Sequence, residues 1–450
     1  MIFERSGRVG GKCYDINYRG TAQALGANFV EANYYNEDSL VPWLQQYGLT
    51  DDLFTVKLTE GVWRTNNPSD PGSKLSRSQF VLSEISKLTN STSFEVNFGF
   101  FLQTVARYVE LHKELFGLYD GDLMRRPSQD VFHRIRGTIL EFLTRENLLG
   151  MKPMFYLTYV MPGYGQLEET AALYGLIWFN PRLVLTGALV SLNLAKFPFI
   201  AQSFKNGYEN KVKAVVEKEQ LDIRFNADIR SIDRTQNGVV LETWQNYEAK
   251  TEECDFLVWT PEASQLLRVL NSPTPEEGRL LGSLKPEVYY AQLFDVEGGV
   301  RHASTTGFME NIVSGVGLAP TWLMDTAATY AGVTPAAYDA AIGRRTLYSV
   351  QNPDKEYASE ALARQILRDF LVKDFNATRV EFLDTIAWSY LPRWTPARVE
   401  EGRHWDLFDM QGKDRIWYAG VSGSFDSTRS VVSYNNRLLG QMVPRNITAY

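Results

Sequence analysis

Apolar residues recur at helical intervals in several stretches of the chain. In "QTVARYVELHKELFGLY", Val105, Tyr108, Leu111 and Leu115 fall on one face, which predicts an amphipathic helix. In "SLVPWLQQYGL", Leu40, Trp43, Leu44 and Tyr47 do the same, with Ser39 placed to cap the start and Gly48 to stop the end. Helical spacing dominates from about Asn66 to Ala195, interrupted by Gly and Pro as in "MPGYGQLEE". "NGYENKVKAVVEKEQL" predicts a helix entered after Gly207. The pattern then changes to β-branched strands in "DIRFNADIRSIDRTQNGVVLETW", with a hairpin turn at Asn237-Gly238. Short apolar strands follow at "ECDFLVWTP", closed by Pro261, and at "DRIWYAG". The second runs through Gly420 towards a last helix, "STRSVVSYNNRLLGQM".

Strand-helix material therefore stands at the start, the middle and the end of the chain. That layout predicts one α/β domain interrupted by insertions, formed by residues 1–45, 200–270 and 410–450. Residues 46–199 and 271–409 would form an inserted α+β domain. A length of 450 residues agrees with two cores rather than one.

Composition removes several function classes. The net charge is −7 and the pI about 5.4, with no Lys/Arg-rich block, which argues against a nucleic acid or an anionic membrane as partner. The apolar run "LVLTGALVSLNLA", between Arg182 and Lys196, falls short of the roughly 20 residues that a membrane span needs, so it reads as a buried helix or strand pair. Cys13 and Cys254 read as small buried residues rather than a disulfide framework. Four scattered histidines (His112, His133, His302, His404) lack paired-ligand spacing and argue against a metal site.

The candidate chemistry begins at "MIFERSGRVGGKCYDI". A strand ending in Glu4, then Gly10-Gly11, reads like the second half of a dinucleotide-binding unit, whose phosphate-cradling glycines would come first. Read singly, Glu4 is equally a solvated strand end, and Gly10-Gly11 a plain turn.

Five pieces in order resemble the flavin-containing amine oxidase superfamily, which also holds flavin-dependent desaturases and polyunsaturated fatty-acid isomerases. They are "FERSGRVGGK", "LGANFV", "ADIRSIDR", "CDFLVWTPEAS" and "RIWYAGVSGSFDSTRSVVSYNNRLL". The resemblance implies a Rossmann-like, discontinuous FAD-binding domain and hydride chemistry on a small apolar substrate. Glu4 would accept from the adenosine ribose hydroxyls, a bidentate task for a carboxylate. Gly10 and Gly11 would let the backbone approach the cofactor, and Arg8 and Lys12 would offer charge to the pyrophosphate. Gly26, Ala27 and Asn28 would leave a flat face for the isoalloxazine, and Ile229 would meet the adenine. Gly420 and Val421 would sit by pyrophosphate and ribityl. The helix beginning near Thr428, which carries Val431, would aim its N-terminal dipole at the electron-rich edge of the ring.

Some positions depart from the family's pattern. Val421-Ser422 stands where an acidic residue is common, and Tyr434-Asn435 where a Ser-Gly pair is usual. The glycine loop and central strand would precede Met1. Either the opening lies upstream, or the protein is a degenerate relative; both readings expect weak or no flavin binding by these 450 residues.

Amine oxidases of the superfamily usually carry a lysine soon after the return strand, where Leu267 or Arg268 stands here. "AWSYLPRWTPARV" supplies the aromatics Trp388, Tyr390 and Trp394 but no Gly-Gly partner. The fatty-acid-isomerase branch fits better, through the GGK form of the first motif and Gly163-Tyr164-Gly165. Arg107, Arg182 and Arg393 are candidates to clamp a substrate carboxylate, each with an ordinary surface or ion-pair role as the simpler reading.

Overall fold

The computed structural model describes residues 1–31, 40–56, 60–67, 69–70, 72–117, 125–191, 201–246, 248–299, 305–315, 317–326, 338–339, 344–351 and 358–442. The expected Ser39 cap, the end of the apolar run beyond Ser191 and His302 lie outside them.

Two short parallel ladders carry the Rossmann-like strands. Ile2–Phe3 pairs with Ile223–Arg224, and Leu257–Trp259 pairs with Ile416–Tyr418. Among the described residues the two ladders share no hydrogen bond. Parallel pairing suits these segments because each is joined to its partner by a long crossover rather than a tight turn. The antiparallel meander Ala227–Arg234, Val239–Gln245 and Glu248–Cys254 follows directly on the first ladder.

The expected hairpin at Asn237-Gly238 is present, but neither residue has a positive φ. It is therefore not a two-residue primed turn. Thr235 closes it instead, its N–H donating to the Gly238 carbonyl at 2.9 Å and its hydroxyl accepting from the Gly238 N–H at 2.9 Å.

The largest sheet has eight strands in the described residues, ordered Ala377–Arg393, Lys285–Gly298, Arg344–Gln351, Pro320–Asp325, Thr305–Phe308, Glu60–Trp63 and Lys74–Ser76, with Tyr338–Asp339 paired to the third of these. Long antiparallel registers between its first three members bury the apolar positions Leu293, Phe294, Leu347 and Val350. The helix Arg77–Thr89 packs on the Glu60–Trp63 and Lys74–Ser76 edge of this sheet, and Pro181–Ser191 packs on that helix and on Phe94–Phe116.

The predicted amphipathic stripe lies on the helix Phe94–Phe116, where Val105, Tyr108, Leu111 and Leu115 are buried. The helix begins earlier than the stripe because Ser93 caps it, its hydroxyl accepting from the Val96 N–H at 3.3 Å. Helices at Leu40–Gln46, Tyr208–Lys218 and Thr428–Met442 occupy their expected places, and the apolar run after Arg182 is helical as far as Ser191. No helix among the described residues is long and apolar enough to cross a membrane.

Candidate functional site

The Gly10-Gly11 turn is built by glycine stereochemistry. Their φ values are +103° and +54°, and the Cys13 N–H donates back to the Gly10 carbonyl at 2.8 Å. The turn feeds a hairpin, Asp15–Tyr18 against Thr21–Ala24, whose ladder continues outward. The Leu25 N–H donates to Tyr14 O at 2.9 Å and the Ala27 N–H to Lys12 O at 3.0 Å. Gly26 is thereby pressed onto Lys12, so closely that a Cβ there would stand 1.8 Å from the Lys12 carbonyl oxygen. Lys12, the residue after the glycine turn, thus lies against Gly26 and Ala27.

Glu4 and Ile229 also come together. The Glu4 N–H donates to Arg224 O at 2.9 Å, and its carbonyl accepts from the Ala227 N–H at 3.0 Å, two residues before Ile229. The ladder slips at that point, with a bulge between Ile229 and Ser231. The Glu4 carboxylate accepts from the Ser6 N–H at 2.7 Å and from its hydroxyl at 2.6 Å.

Arg8 is turned onto its own loop. Its guanidinium donates to the carbonyls of Val9, Cys13 and Gly11 at 3.2, 3.3 and 2.6 Å and lies 4.4 Å from the Tyr14 ring centre. Lys12 reaches across the molecule to the ion pair with Asp426.

The C-terminal segment supplies the other side. Gly420 donates its N–H to Asn435 Oδ1 at 3.0 Å, and Ser422 Oγ accepts from the Ala263 N–H at 2.9 Å. Tyr434 is buried and its hydroxyl donates to Tyr418 O at 2.9 Å. The family-atypical Tyr434-Asn435 pair therefore ties the last helix to its preceding strand. Val421 and Val431 are half-buried at the two ends of the connection. Gly420 and Val421 make no described hydrogen bond to Glu4 or Ile229; Lys12–Asp426 is the bond that links the two groups of residues.

Where these segments meet, the aromatic rings form a layer. Tyr390 stacks on Tyr164 (centroids 5.4 Å, 17°) and on Tyr289 (4.4 Å, 25°), while the Lys12 ammonium lies 5.2 Å from its ring centre. Phe425 is 4.7 Å from Tyr164, and Trp178 stacks on Phe425 at 5.2 Å. Trp388 donates its indole N–H to Leu25 O at 2.7 Å. Tyr348 packs with Tyr289 in one buried cluster, beside the Asn28 side chain. Burial drives the phenols of Tyr289 and Tyr390 well above the ordinary tyrosine range, so neither ionises near neutral pH.

Other candidates fall elsewhere. Trp394 is buried against His404 and donates its indole N–H to Leu280 O at 3.1 Å. Leu267 packs on the main core and Arg268 is exposed. Arg107 is exposed and paired with Glu114 at 2.9 Å, and Arg182 is also exposed, whereas Arg393 is drawn inside and paired with Glu287.

The residues present fit a flavin of the kind the resemblance implies. Gly11 has nothing within 4 Å of the point where a Cβ would stand, so its backbone is open to close approach. On the neighbouring segment Asn28 is buried with its Oδ1 unpaired, an acceptor needing a donor. Sequence reasoning did not single out Asp426, Tyr289, Tyr348 or Glu287. Asp426 lies inside a quoted motif, but its partner is visible only in three dimensions.

The fold resembles several solved structures. A fatty acid isomerase from P. acnes that produces CLA superimposes with a TM-score of 0.72 at 17% identity, covering 98% of this chain and 92% of that one. A putative protoporphyrinogen oxidase from Exiguobacterium gives 0.65 at 14%, with 98% and 92% covered. Cyclohexylamine oxidase from Brevibacterium oxydans gives 0.60 at 11%, with 98% and 93% covered. No curated protein matches the chain by sequence. A model of the flavin-containing amine oxidoreductase family matches residues 1–294, and the chain belongs to that family.

Proposed function

We propose that this flavin-dependent oxidoreductase acts on an apolar organic substrate by hydride transfer, with residues 1–45, 200–270 and 410–450 holding FAD and the remainder shaping the substrate side. Glu4, Arg8, Gly10, Gly11, Lys12, Gly26, Ala27, Asn28, Ile229, Gly420, Val421 and Val431 are the proposed FAD contacts. When bound, the flavin supplies a hydride acceptor at N5. The chain's own task is then to place a C–H bond, exclude water and hold the cofactor's charge. The Tyr164–Tyr390–Tyr289 layer supports this reading, because it offers flat apolar faces and no group that titrates near neutral pH. Chemistry that needs a dedicated acid or base gains nothing there, whereas hydride transfer needs none.

Within that reading, double-bond isomerisation of a polyunsaturated fatty acid is favoured over amine oxidation. The supporting observation is Leu267–Arg268, a partly buried leucine and an exposed arginine, at the position expected to hold the amine oxidases' lysine. Anaerobic incubation of FAD-loaded protein separates the two. An isomerase turns linoleate over without an electron acceptor and builds a conjugated-diene absorption. An oxidase bleaches its flavin once with an alkylamine and stops. Bleaching by the amine with no diene from linoleate rules out the isomerase reading.

A further inference from the structure

The helices Arg77–Thr89 and Phe94–Phe116 are joined by four residues, 90–93, and the end they form is apolar on its outside. Phe94, Val96 and Leu88 are 57%, 50% and 46% exposed there, although these residue types are usually buried. Phe94 and Phe98 stack with ring centres 5.4 Å apart, and exposed Leu102 continues their side of the helix. Val96 stands away from that side, about 200° round the helix axis from Phe94.

That geometry narrows the partner. Apolar side chains on opposite sides of one helix end make a knob, not a flat face or a groove. A folded protein would have to close a socket round it, whereas a fluid apolar layer surrounds it without one. The polar groups of the turn suit such a layer. Residues 88–94 carry no charge. The N–H groups of Asn90 and Ser91 donate to Ser86 O, that of Ser93 to Ser91 Oγ at 3.1 Å, and that of Val96 to Ser93 Oγ at 3.3 Å. Buried Asn97 donates its amide to Ser91 O at 3.0 Å and accepts from the Thr89 hydroxyl. These groups stay bonded when water is removed.

Charge then selects the lipid. Lys87 is paired with Glu84 at 2.6 Å, so Glu95 in the first turn sets the sign of the tip. An anionic surface repels it, as it does the chain's net charge of −7, whereas the choline ammonium of a zwitterionic head group faces it favourably. We propose that this helical tip docks on a zwitterionic lipid surface and enters it as far as Phe98. Phe98 stands about 6 Å along the axis from Phe94, within the roughly 5–10 Å that interfacial helices reach. The docking does not rest on the function proposed above. A polyunsaturated fatty acid, the substrate favoured there, dissolves in the same layer.

Flotation of the whole protein with phosphatidylcholine vesicles tests this. The parent floats with them, and floats less at low salt with vesicles that also contain phosphatidylserine. Phe94→Ser and Val96→Ser each lower the bound-to-free ratio about three- to tenfold, the worth of burying the half of each side chain that is now exposed. Leu362→Ser, at a comparably exposed position on Glu360–Phe375, leaves the ratio unchanged. Glu95→Gln restores part of the binding lost to phosphatidylserine. Thermal melts verify the fold of each variant. A parent that does not float, unchanged binding in both tip variants, an equal loss in Leu362→Ser, or tighter binding to the anionic vesicles overturns the proposal. A parent that sediments as a dimer, which Phe94→Ser splits, assigns the knob to a second copy and also overturns it. Flavin content, read by absorbance on the same samples, is independent, so failure of the flavin reading leaves this result standing.

Discussion

Lys12 and Asp426 are 414 positions apart in the chain and form an ion pair directly beside Tyr390. The Asp426 side chain is only 8% exposed and also accepts from the Leu391 N–H at 2.8 Å. One carboxylate therefore fastens the N-terminal glycine turn, the long strand of the large sheet and the C-terminal motif together.

Breaking that fastening is measurable by urea denaturation. Asp426→Asn is expected to cost about 1.5–3 kcal/mol, the range for hydrogen bonds to a charged group. Lys12→Met costs at least as much, because it leaves the Asp426 carboxylate, whose side chain is 8% exposed, without its counter-charge. The double mutant should fall short of the sum of the single losses by at least about 0.5 kcal/mol. Full additivity contradicts a direct pair.

Gly26 and Gly11 separate packing from dihedral strain. Gly26→Ala drives a methyl into the Lys12 backbone, so the hairpin must part, with a loss above about 3 kcal/mol in thermal melts. Gly11→Ala meets no atom and loses only about 1–2 kcal/mol from its left-handed φ. If Gly11 approaches the cofactor as proposed, its alanine variant also binds FAD more weakly in fluorescence titration. Equal stability losses at the two positions contradict the geometry.

Asp15 makes stability depend on pH. Its carboxylate accepts from the Glu209 N–H at 2.7 Å, and burial, reinforced by the charge of Glu209, raises its pKa to about 6. The native state thus keeps a proton that the unfolded chain has released. This contribution is fully present below about pH 4 and is lost as pH rises through 6. The change is on the order of 3 kcal/mol. Asp15→Asn should flatten that part of the stability–pH curve; an unchanged slope would assign it to another group.

Much of this architecture could be read from local pattern. The Val105–Leu115 stripe, the Gly207 helix entry and the Ile416–Gly420 strand follow from periodicity and punctuation that act over a few residues. The five family-like segments were legible as segments. What joins them was not, because Lys12–Asp426 and Asn28–Tyr348 are contacts between distant parts of the chain. Arg107, Arg182 and Arg393 looked alike along the sequence. Only the bulged ladder at Lys285–Glu287 takes Arg393 inside, and nothing near Arg393 announces it. The turn at Asn237-Gly238 was placed correctly but closed by an unforeseen residue, Thr235.

The π turn at Tyr156–Val160 holds one residue more than a regular helix would use. Deleting a single residue there would let the helix wind normally and leave the turns on either side in phase, because the wide turn absorbs the extra residue locally. Only the residues of the turn itself, Tyr159 among them, would change direction. This segment is therefore a place in the helical layer where the chain could be shortened by one residue without turning its neighbours.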